Sequence, residues 1–132
     1  MKDSQKNKRN YIYLSFEDVS YIHNQILLQE AWLPWIKDVW QLESILYHIQ
    51  NDEYYPDFTD KLVHLVFWII QFHVFNDANK RTAILSSKVF LEINWIKNIN
   101  YTQKMEDIVV WIAKWIITKN DLKKIFQITI NI

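Results

Sequence analysis

The stretch from Asp60 to about Phe72 limits the folds open to this chain more than any other part of its sequence. It has helical length and is apolar on almost every side, through Leu62, Val63, Leu65, Val66, Phe67, Ile69 and Ile70. A helix that is apolar all round lies at the centre of a protein. His64, Gln71 and His73 interrupt the run, which is too short for the roughly 18 residues of a membrane span. The sequence therefore predicts a central buried helix in a domain without a membrane partner.

Helical periodicity with start signals covers most of the rest of the chain. The expected starts are Ser15 with Asp18, Asp38, Thr59, a point near Asn79, Thr102, and the capping-box-like pair Thr118 and Asp121. The fourth helix is expected to run to about Ile93 and the sixth to end near Phe126. Two irregular loops, Glu30–Lys37 and Asn51–Phe58, each contain one of the two prolines. We predict an all-α fold, a compact bundle of about six helices around a buried central helical hairpin.

Length and charge restrict the functions open to the chain. Its 132 residues predict one domain, here residues 11–132, after a flexible polar tail at Met1–Asn10 that has no apolar signal core. Fifteen basic and fifteen acidic side chains leave no net charge, which argues against a nucleic-acid partner. With no cysteine, disulfides, thiol nucleophiles and cysteine zinc sites are excluded. We expect a cytoplasmic location.

A segment between the third and fourth helices concentrates the reactive side chains. It places a potential general base, His73, a carboxylate, Asp77, the small Ala78, and two cations, Lys80 and Arg81, around a helix N-terminus. Helix N-termini favour anions, and Ala78 lets a ligand approach the backbone. One carboxylate together with phosphate oxygens can hold Mg²⁺. The segment therefore has the composition of a nucleotide-phosphate site.

A purely structural interpretation of the same residues exists. Asp77 or Asn76 can serve only as an N-cap, the two cations only as a solvated first turn, and His73 only as a polar helix end. However, cations in the first turn oppose the helix dipole. Two in succession are better explained when an anion neutralises them, which favours the functional interpretation.

The string His73-Val74-Phe75-Asn76-Asp77-Ala78-Asn79-Lys80-Arg81-Thr82 resembles the signature of the Fic/Doc superfamily, in its death-on-curing (Doc) toxin branch. The branch motif is H-x-F-x-D-A-N-K-R-T, and every specified position is present. The similarity extends over about Tyr11–Phe126, including Leu14–His23, Leu33-Pro34, Lys37-Asp38, Leu42–Ser44, Phe90–Asn94 and Ile117–Lys119.

The resemblance implies a toxin of a toxin–antitoxin module that transfers the γ-phosphate of a nucleoside triphosphate to a protein threonine. The implied target is translation elongation factor Tu, and a cognate antitoxin is the implied inhibitor. The alternative is the AMP transfer of other Fic enzymes, whose pattern is H-P-F-x-x-G-N-G-R-x-x-R. Lys80 replaces its second glycine and Ile84 its second arginine. Both departures favour the kinase.

Carried over to this sequence, the resemblance makes His73 the general base for the attacking hydroxyl. Asp77 would position Mg²⁺ on the phosphates of ATP or another nucleoside triphosphate. Ala78, Asn79 and Lys80 would supply anion-binding donors. Arg81 would clamp phosphate oxygens with its planar guanidinium.

Other candidates receive weaker assignments. His23, His48 and His64 are interpreted as structural histidines, and the loop Asn51–Phe58 as either a target-docking flap or simple core coverage. Thr102 and Glu106 resemble part of a self-inhibitory Fic helix, but Asp107 does not fit its last position, so inhibition by a separate antitoxin is expected. The rival functions are a catalytically inactive helical partner-binding module and, less favoured by the charge, a helical DNA-binding protein.

Glycine is absent from the chain, whereas tryptophan occurs seven times, at Trp32, Trp35, Trp40, Trp68, Trp95, Trp111 and Trp115. About nine glycines are expected at average usage. Several of these tryptophans stand where Doc-like sequences usually have glycine, including the turn after Asn94 and the turn before Ile117-Thr118. The chain is also rich in Ile, Asn and Lys, as an AT-rich gene would encode. We hypothesise that UGA codons meaning glycine stand here as tryptophan, the alternative being seven genuine tryptophans.

Overall fold

The structure is a computed structural model that describes residues 10–30, 39–76 and 78–130. In these ranges the chain forms six helices and no strand: α1 (Phe16–Glu30), α2 (Val39–His48), α3 (Phe58–Gln71), α4 (Asn79–Ile93), α5 (Tyr101–Ala113) and α6 (Lys119–Thr129). The predicted all-α fold is confirmed. Three features predicted from the sequence lie outside the described residues. They are the N-terminal tail except Asn10, the loop Glu30–Lys37 except Glu30, and the cap Asp38.

Helix α3 lies at the centre of the bundle, as its all-round apolar sequence predicts. It packs against α2, α4, α5 and α6, while α4 also contacts α1 and α5. Side chains on every face of α3 are buried, among them Leu62, Leu65, Val66 and Ile69. Each fully buried aliphatic side chain contributes about 1.5–3 kcal/mol relative to an exposed one. The α3–α4 pair is therefore the buried helical hairpin that the sequence predicts, and it fixes both ends of the connection between them.

The start signals in the sequence are partly correct. Ser15 and Asp18 bond reciprocally, with Asp18 N–H donating to Ser15 Oγ at 3.1 Å and Ser15 N–H donating to Asp18 Oδ2 at 2.8 Å. Thr118 and Asp121 do the same before α6. The predicted cap Thr59 is wrong: Asp57 is the N-cap of α3. Asp57 N–H donates to the Asp60 carboxylate at 3.2 Å, so the helix begins earlier.

Two other boundaries differ from the prediction. Helix α5 begins at Tyr101 after the left-handed residue Asn100, rather than at Thr102. Helix α6 continues to Thr129, beyond the expected end at Phe126, because Phe126 and Ile130 both lie in the core. Among the described helices, none has the length and apolar character to cross a bilayer.

Tryptophans occupy the residue after the C-cap at the ends of α4 and α5. Trp95 has φ 58° and Trp115 has φ 59°. At the end of α4, Trp95 N–H donates to the Glu92 carbonyl at 3.1 Å and Ile96 N–H to the Leu91 carbonyl at 3.0 Å. This is the Schellman motif, whose left-handed residue is usually glycine. The two turns expected to need glycine are therefore left-handed in the structure.

The same two bonds recur at the end of α5. Trp115 N–H donates to the Ile112 carbonyl at 3.0 Å, and Ile116 N–H donates to the Trp111 carbonyl at 2.9 Å. For a residue with a Cβ, left-handed backbone is unfavourable by roughly 1–2 kcal/mol. Both tryptophans therefore occupy backbone positions that suit a glycine better.

His64 joins α3 to α6 through a partly buried polar contact. Its Nδ1 lies 2.9 Å from Lys119 Nζ at the start of α6. The Lys119 ammonium also lies over the rings of Tyr55 and Trp68, at 5.3 and 5.7 Å. Burial, then the charge of Lys119, then that of His48, lower the pKa of His64 to about 3. His64 is therefore neutral at physiological pH, which agrees with a structural role.

We expect this histidine to make stability depend on pH. Unfolding restores the ordinary pKa of about 6.5, so the unfolded chain takes up the proton first. The free energy of unfolding should fall as the pH decreases from about 6.5 towards 3. Urea titrations between pH 7 and 4.5 measure this slope. It should become shallower in His64→Gln, which keeps an acceptor for Lys119, and persist in the control His48→Gln; equal slopes in His64→Gln and the wild type would contradict the expectation.

Candidate active site

His73 stands at the left-handed residue that ends α3. Its φ is 48°, its N–H donates to the Ile70 carbonyl at 3.2 Å, and Val74 N–H approaches the Ile69 carbonyl at 3.5 Å. Histidine enters the left-handed region more readily than most residues do. The backbone turn at the end of the buried helix thus leaves His73 exposed, where it can receive a proton from a substrate.

The connection between α3 and α4 (residues 72–78, the motif loop) is anchored immediately after His73. Val74 and Phe75 are both fully buried. Phe75 N–H donates to Asn79 Oδ1 at 2.9 Å, and Asn79 Nδ2 donates to the Phe75 carbonyl at 2.8 Å. The side-chain amide of Asn79 therefore closes the motif loop. An anion-binding role for Asn79 would use its backbone N–H in the first turn of α4.

Ala78 gives the motif loop its turn into α4. It is the N-cap residue and has left-handed backbone, with φ 62° and ψ 28°. Left-handed conformations of non-glycine residues persist where the surroundings enforce them, and they cluster at ligand sites. The methyl side chain adds little bulk beside the helix N-terminus, where backbone N–H groups and the dipole favour an anion.

A cleft of about 210 Å³ opens at this helix end. Its lining residues include four of the predicted site residues, His73, Ala78, Asn79 and Lys80, together with Ile70, Asn76 and, from the end of α5, Ala113. Gln71 Nε2 donates to the Ile112 carbonyl, which holds the end of α5 against this hairpin. A whole-ligand pocket is typically about 300–1,000 Å³. The cleft is thus suited to the phosphate end of a nucleotide.

One predicted site residue among those the structure describes, Arg81, is not in the cleft lining. Arg81 is exposed on the first turn of α4, one residue beyond Lys80. Asp77 lies outside the described residues, so its assignment as the Mg²⁺ ligand stays a prediction from the sequence. The described cleft residues supply N–H and ammonium donors, a donor set that fits phosphate oxygens. No group of three potential metal ligands occurs in the described residues; a Mg²⁺ ion bound through one carboxylate and phosphates would not need one.

His23 contacts the motif loop, although it lies far from the motif in the sequence. It lies on α1, is fully buried, and stacks on Phe75 with a ring-centroid distance of 3.7 Å and an interplanar angle of 11°. A signal was present in the sequence, since His23 is a polar residue on the apolar face of Val19 and Ile26. Its partner could not be read from the sequence, because the contact joins residues 52 positions apart.

The loop before α3 shows features of both roles considered for it. Asn51 Oδ1 accepts N–H groups from Glu53 and Tyr54, at 2.9 and 3.3 Å. Tyr55 covers the interior, with its ring 4.5 Å from that of His64, whereas Tyr54 is exposed. Docking of a target by this loop therefore stays a prediction.

A larger cavity, about 480 Å³, lies at the opposite end of α4 and is lined by residues that include Lys88, Trp95 and Ile99. Fifteen residues of helix separate the two ends, a distance of roughly 22 Å at 1.5 Å per residue. Although it is larger, this cavity contains none of the predicted site residues. The smaller cleft contains His73 and Lys80 at the N-terminus of α4, and it is therefore the candidate active site.

Comparisons with known proteins identify the family of the chain. The profile of the Fic/DOC family matches residues 13–91, more than half of the chain, and this range includes the whole motif loop. The chain is also 30% identical over 88 residues to "Protein kinase doc" of Escherichia phage P1, a match that covers 64% of this chain and 70% of that protein. The chain belongs to the Fic/DOC family.

Proposed function

We propose that this protein is a Doc-type toxin kinase that transfers the γ-phosphate of a nucleoside triphosphate to a threonine hydroxyl of a protein. The proposed target is translation elongation factor Tu. The observation that carries the proposal is the cleft at the N-terminus of α4, which exposed His73 and Lys80 both line. Family membership and the similarity to a protein named as a kinase support a toxin-like transferase.

The proposed reaction divides its steps among the residues of the motif loop and the first turn of α4. His73 takes the proton from the attacking hydroxyl. That oxygen forms a bond to the γ-phosphorus while the bond from the γ-phosphorus to the bridging oxygen breaks, so the nucleoside diphosphate leaves. Backbone donors at Ala78 and Asn79, with the cations Lys80 and Arg81, hold the phosphate oxygens. Phosphoryl transfer depends mostly on the positioning of the reactants and on charge stabilisation, and these groups are of the types that supply both.

Mg²⁺ is part of the proposal, with Asp77 as its protein ligand. The ion would neutralise the charge that develops on the phosphate oxygens. This assignment rests on the position of Asp77 in the motif and on the phosphate-binding donor set beside it.

The residue at position 84 favours γ-phosphate transfer over AMP transfer. AMP-transferring relatives have a second arginine there, whereas Ile84 is 5% exposed and belongs to the hydrophobic core. The chain therefore contributes no cation from this position. Lys80 stands in place of the second glycine of the AMP-transferring pattern. Its side chain adds bulk and charge where phosphates would otherwise come close to the backbone at the start of α4.

Two labelled forms of ATP test the proposal. The protein is incubated with Mg²⁺ and elongation factor Tu, with the label at the γ position in one reaction and at the α position in the other. Target labelled only from γ-labelled ATP is the expected result. Label from α-labelled ATP would replace kinase action by AMP transfer. A chain that labels no target yet binds a cognate antitoxin would instead be an inactive partner-binding module.

A further inference from the structure

We infer that His23 is a positioning residue for the motif loop: its ring holds Phe75 in place and, through the backbone, sets the position of His73. The inference rests on the proposed function for its catalytic consequence. His23 is on α1, which the motif does not include, and its ring forms a flat stack on Phe75 at 3.7 Å. It is therefore an element of the site supplied from outside the motif.

The contact is placed where it can control geometry. Phe75 lies two residues after His73, and its backbone N–H and carbonyl are both bound by the Asn79 amide. The aromatic ring of Phe75 is fully buried and so is His23. Phe75 is thus fixed from one side by Asn79 and from another by His23. Because catalysis is sensitive to misplacements of about 1 Å, loosening this ring should affect turnover more than nucleotide binding.

Because the rings of His23 and Phe75 are nearly parallel, we expect that holding Phe75 in place requires a planar ring at position 23. An aliphatic side chain of similar size would fill the space, but it would not restrain the tilt of Phe75. Aromatic pairs stabilise by about 0.5–1.5 kcal/mol beyond the burial of their area. Phenylalanine at position 23 would keep a ring there, whereas leucine would remove it.

The experiment compares His23→Leu and His23→Phe with the control Phe90→Leu. Phe90 is also fully buried and stacks on Phe58, with centroids 4.6 Å apart, away from the motif loop. We expect His23→Leu to lower kcat for transfer about tenfold with KM for ATP nearly unchanged. His23→Phe should recover most of the loss, and Phe90→Leu should change stability and not kcat.

A second measurement does not depend on enzymatic activity. The Phe75 amide, bonded to Asn79 Oδ1, reports whether the motif loop is closed. Its hydrogen exchange should accelerate about tenfold in His23→Leu relative to core amides, and should not do so in Phe90→Leu. Equal kcat and equal Phe75 exchange in His23→Leu and Phe90→Leu would overturn the inference. A wild-type protein without transfer activity would overturn the proposed function alone, since the exchange result would still decide the role of His23.

Independent observations concern the tryptophans. We propose that positions 95 and 115 are glycine in the natural protein, encoded by UGA codons that stand as tryptophan in this sequence. Both positions have the left-handed backbone of a Schellman motif. The two residues are 81% and 68% exposed, although tryptophan is a largely buried residue on average. A chain with no glycine has thus placed its bulkiest residue at two positions where glycine fits best.

The other left-handed residues among those described are different in kind. They are His73, Ala78 and Asn100; two of these residue types, His and Asn, are enriched in this region, and Ala78 belongs to the motif loop. Trp40, Trp68 and Trp111 lie inside helices, so their backbone does not favour glycine. If these three positions are also glycine in the natural protein, the reason is the UGA codon and not the backbone conformation. Trp32 and Trp35 lie outside the described residues.

Mass spectrometry of tryptic peptides from the protein isolated from its own source tests the proposal. Residues 89–97 and 115–119 form two peptides that each contain one of these positions. Glycine at either position, the residue that left-handed turns favour, lowers the peptide mass by about 129 Da. Tryptophan in both peptides would overturn the proposal.

Discussion

His73→Ala should lower the rate of phosphoryl transfer by about 10²–10⁴-fold, the range that general-base catalysis contributes. His73 is an exposed residue that lines the cleft, so removal of its side chain should leave the fold intact. Single-turnover transfer from γ-labelled ATP measures the effect. Expression of this variant should also fail to arrest growth under conditions in which the wild type does so.

The backbone at position 73 requires a matched control for this prediction. Because His73 is left-handed, alanine adds backbone strain to the loss of the imidazole. His73→Asn avoids this confusion, since asparagine readily adopts left-handed backbone and cannot act as the base. Both variants should be inactive, while His48→Ala, an exposed histidine on α2, should retain activity. Full activity in His73→Asn would remove His73 from the mechanism.

Trp95→Gly combined with Trp115→Gly should raise the free energy of unfolding by about 2 kcal/mol. Each substitution removes roughly 1–2 kcal/mol of left-handed strain, offset by the extra flexibility of glycine in the unfolded chain. Trp95 buries little surface, but Trp115 has an edge contact with Phe67 at 6.3 Å, so the gain should be larger at position 95. For a chain of this size, we expect the melting temperature to rise by about 5–10 °C.

Two controls separate backbone strain from loss of the indole. Trp95→Ala removes the ring and keeps a Cβ, so it should stabilise the protein much less than Trp95→Gly. Trp111→Gly places glycine inside α5 at a residue that is 39% exposed, and it should lower stability by at least about 1 kcal/mol, the helix-propensity cost of glycine. Thermal and urea unfolding measure both. Equal stability of the Ala and Gly variants at position 95 would show that left-handed strain is not the cause.

Local sequence patterns located most of the helices because their signals act over a few residues. The Ser15–Asp18 and Thr118–Asp121 pairs, which bond within one turn, were recognised as caps and are present. At α3 the sequence pattern predicts Thr59 as the cap, whereas the structure has Asp57 in that position. The reciprocal bond of Asp60 to the Asp57 backbone decided between them. The Schellman ends at Trp95 and Trp115 were anticipated only as turns suited to glycine.

The sequence by itself determined the all-α class, the burial of α3 and the membership of residues 73–82 in one reactive segment, because helical period and motif spacing are local properties. Only the tertiary structure decided which of these residues share a cleft: His73, Ala78, Asn79 and Lys80 line it, and Arg81 is not part of the lining. It also assigned the Asn79 amide to the loop backbone. The stack of His23 on Phe75 and the meeting of His64 with Lys119 join distant segments. Such contacts arise when helices pack, and no short-range pattern encodes them.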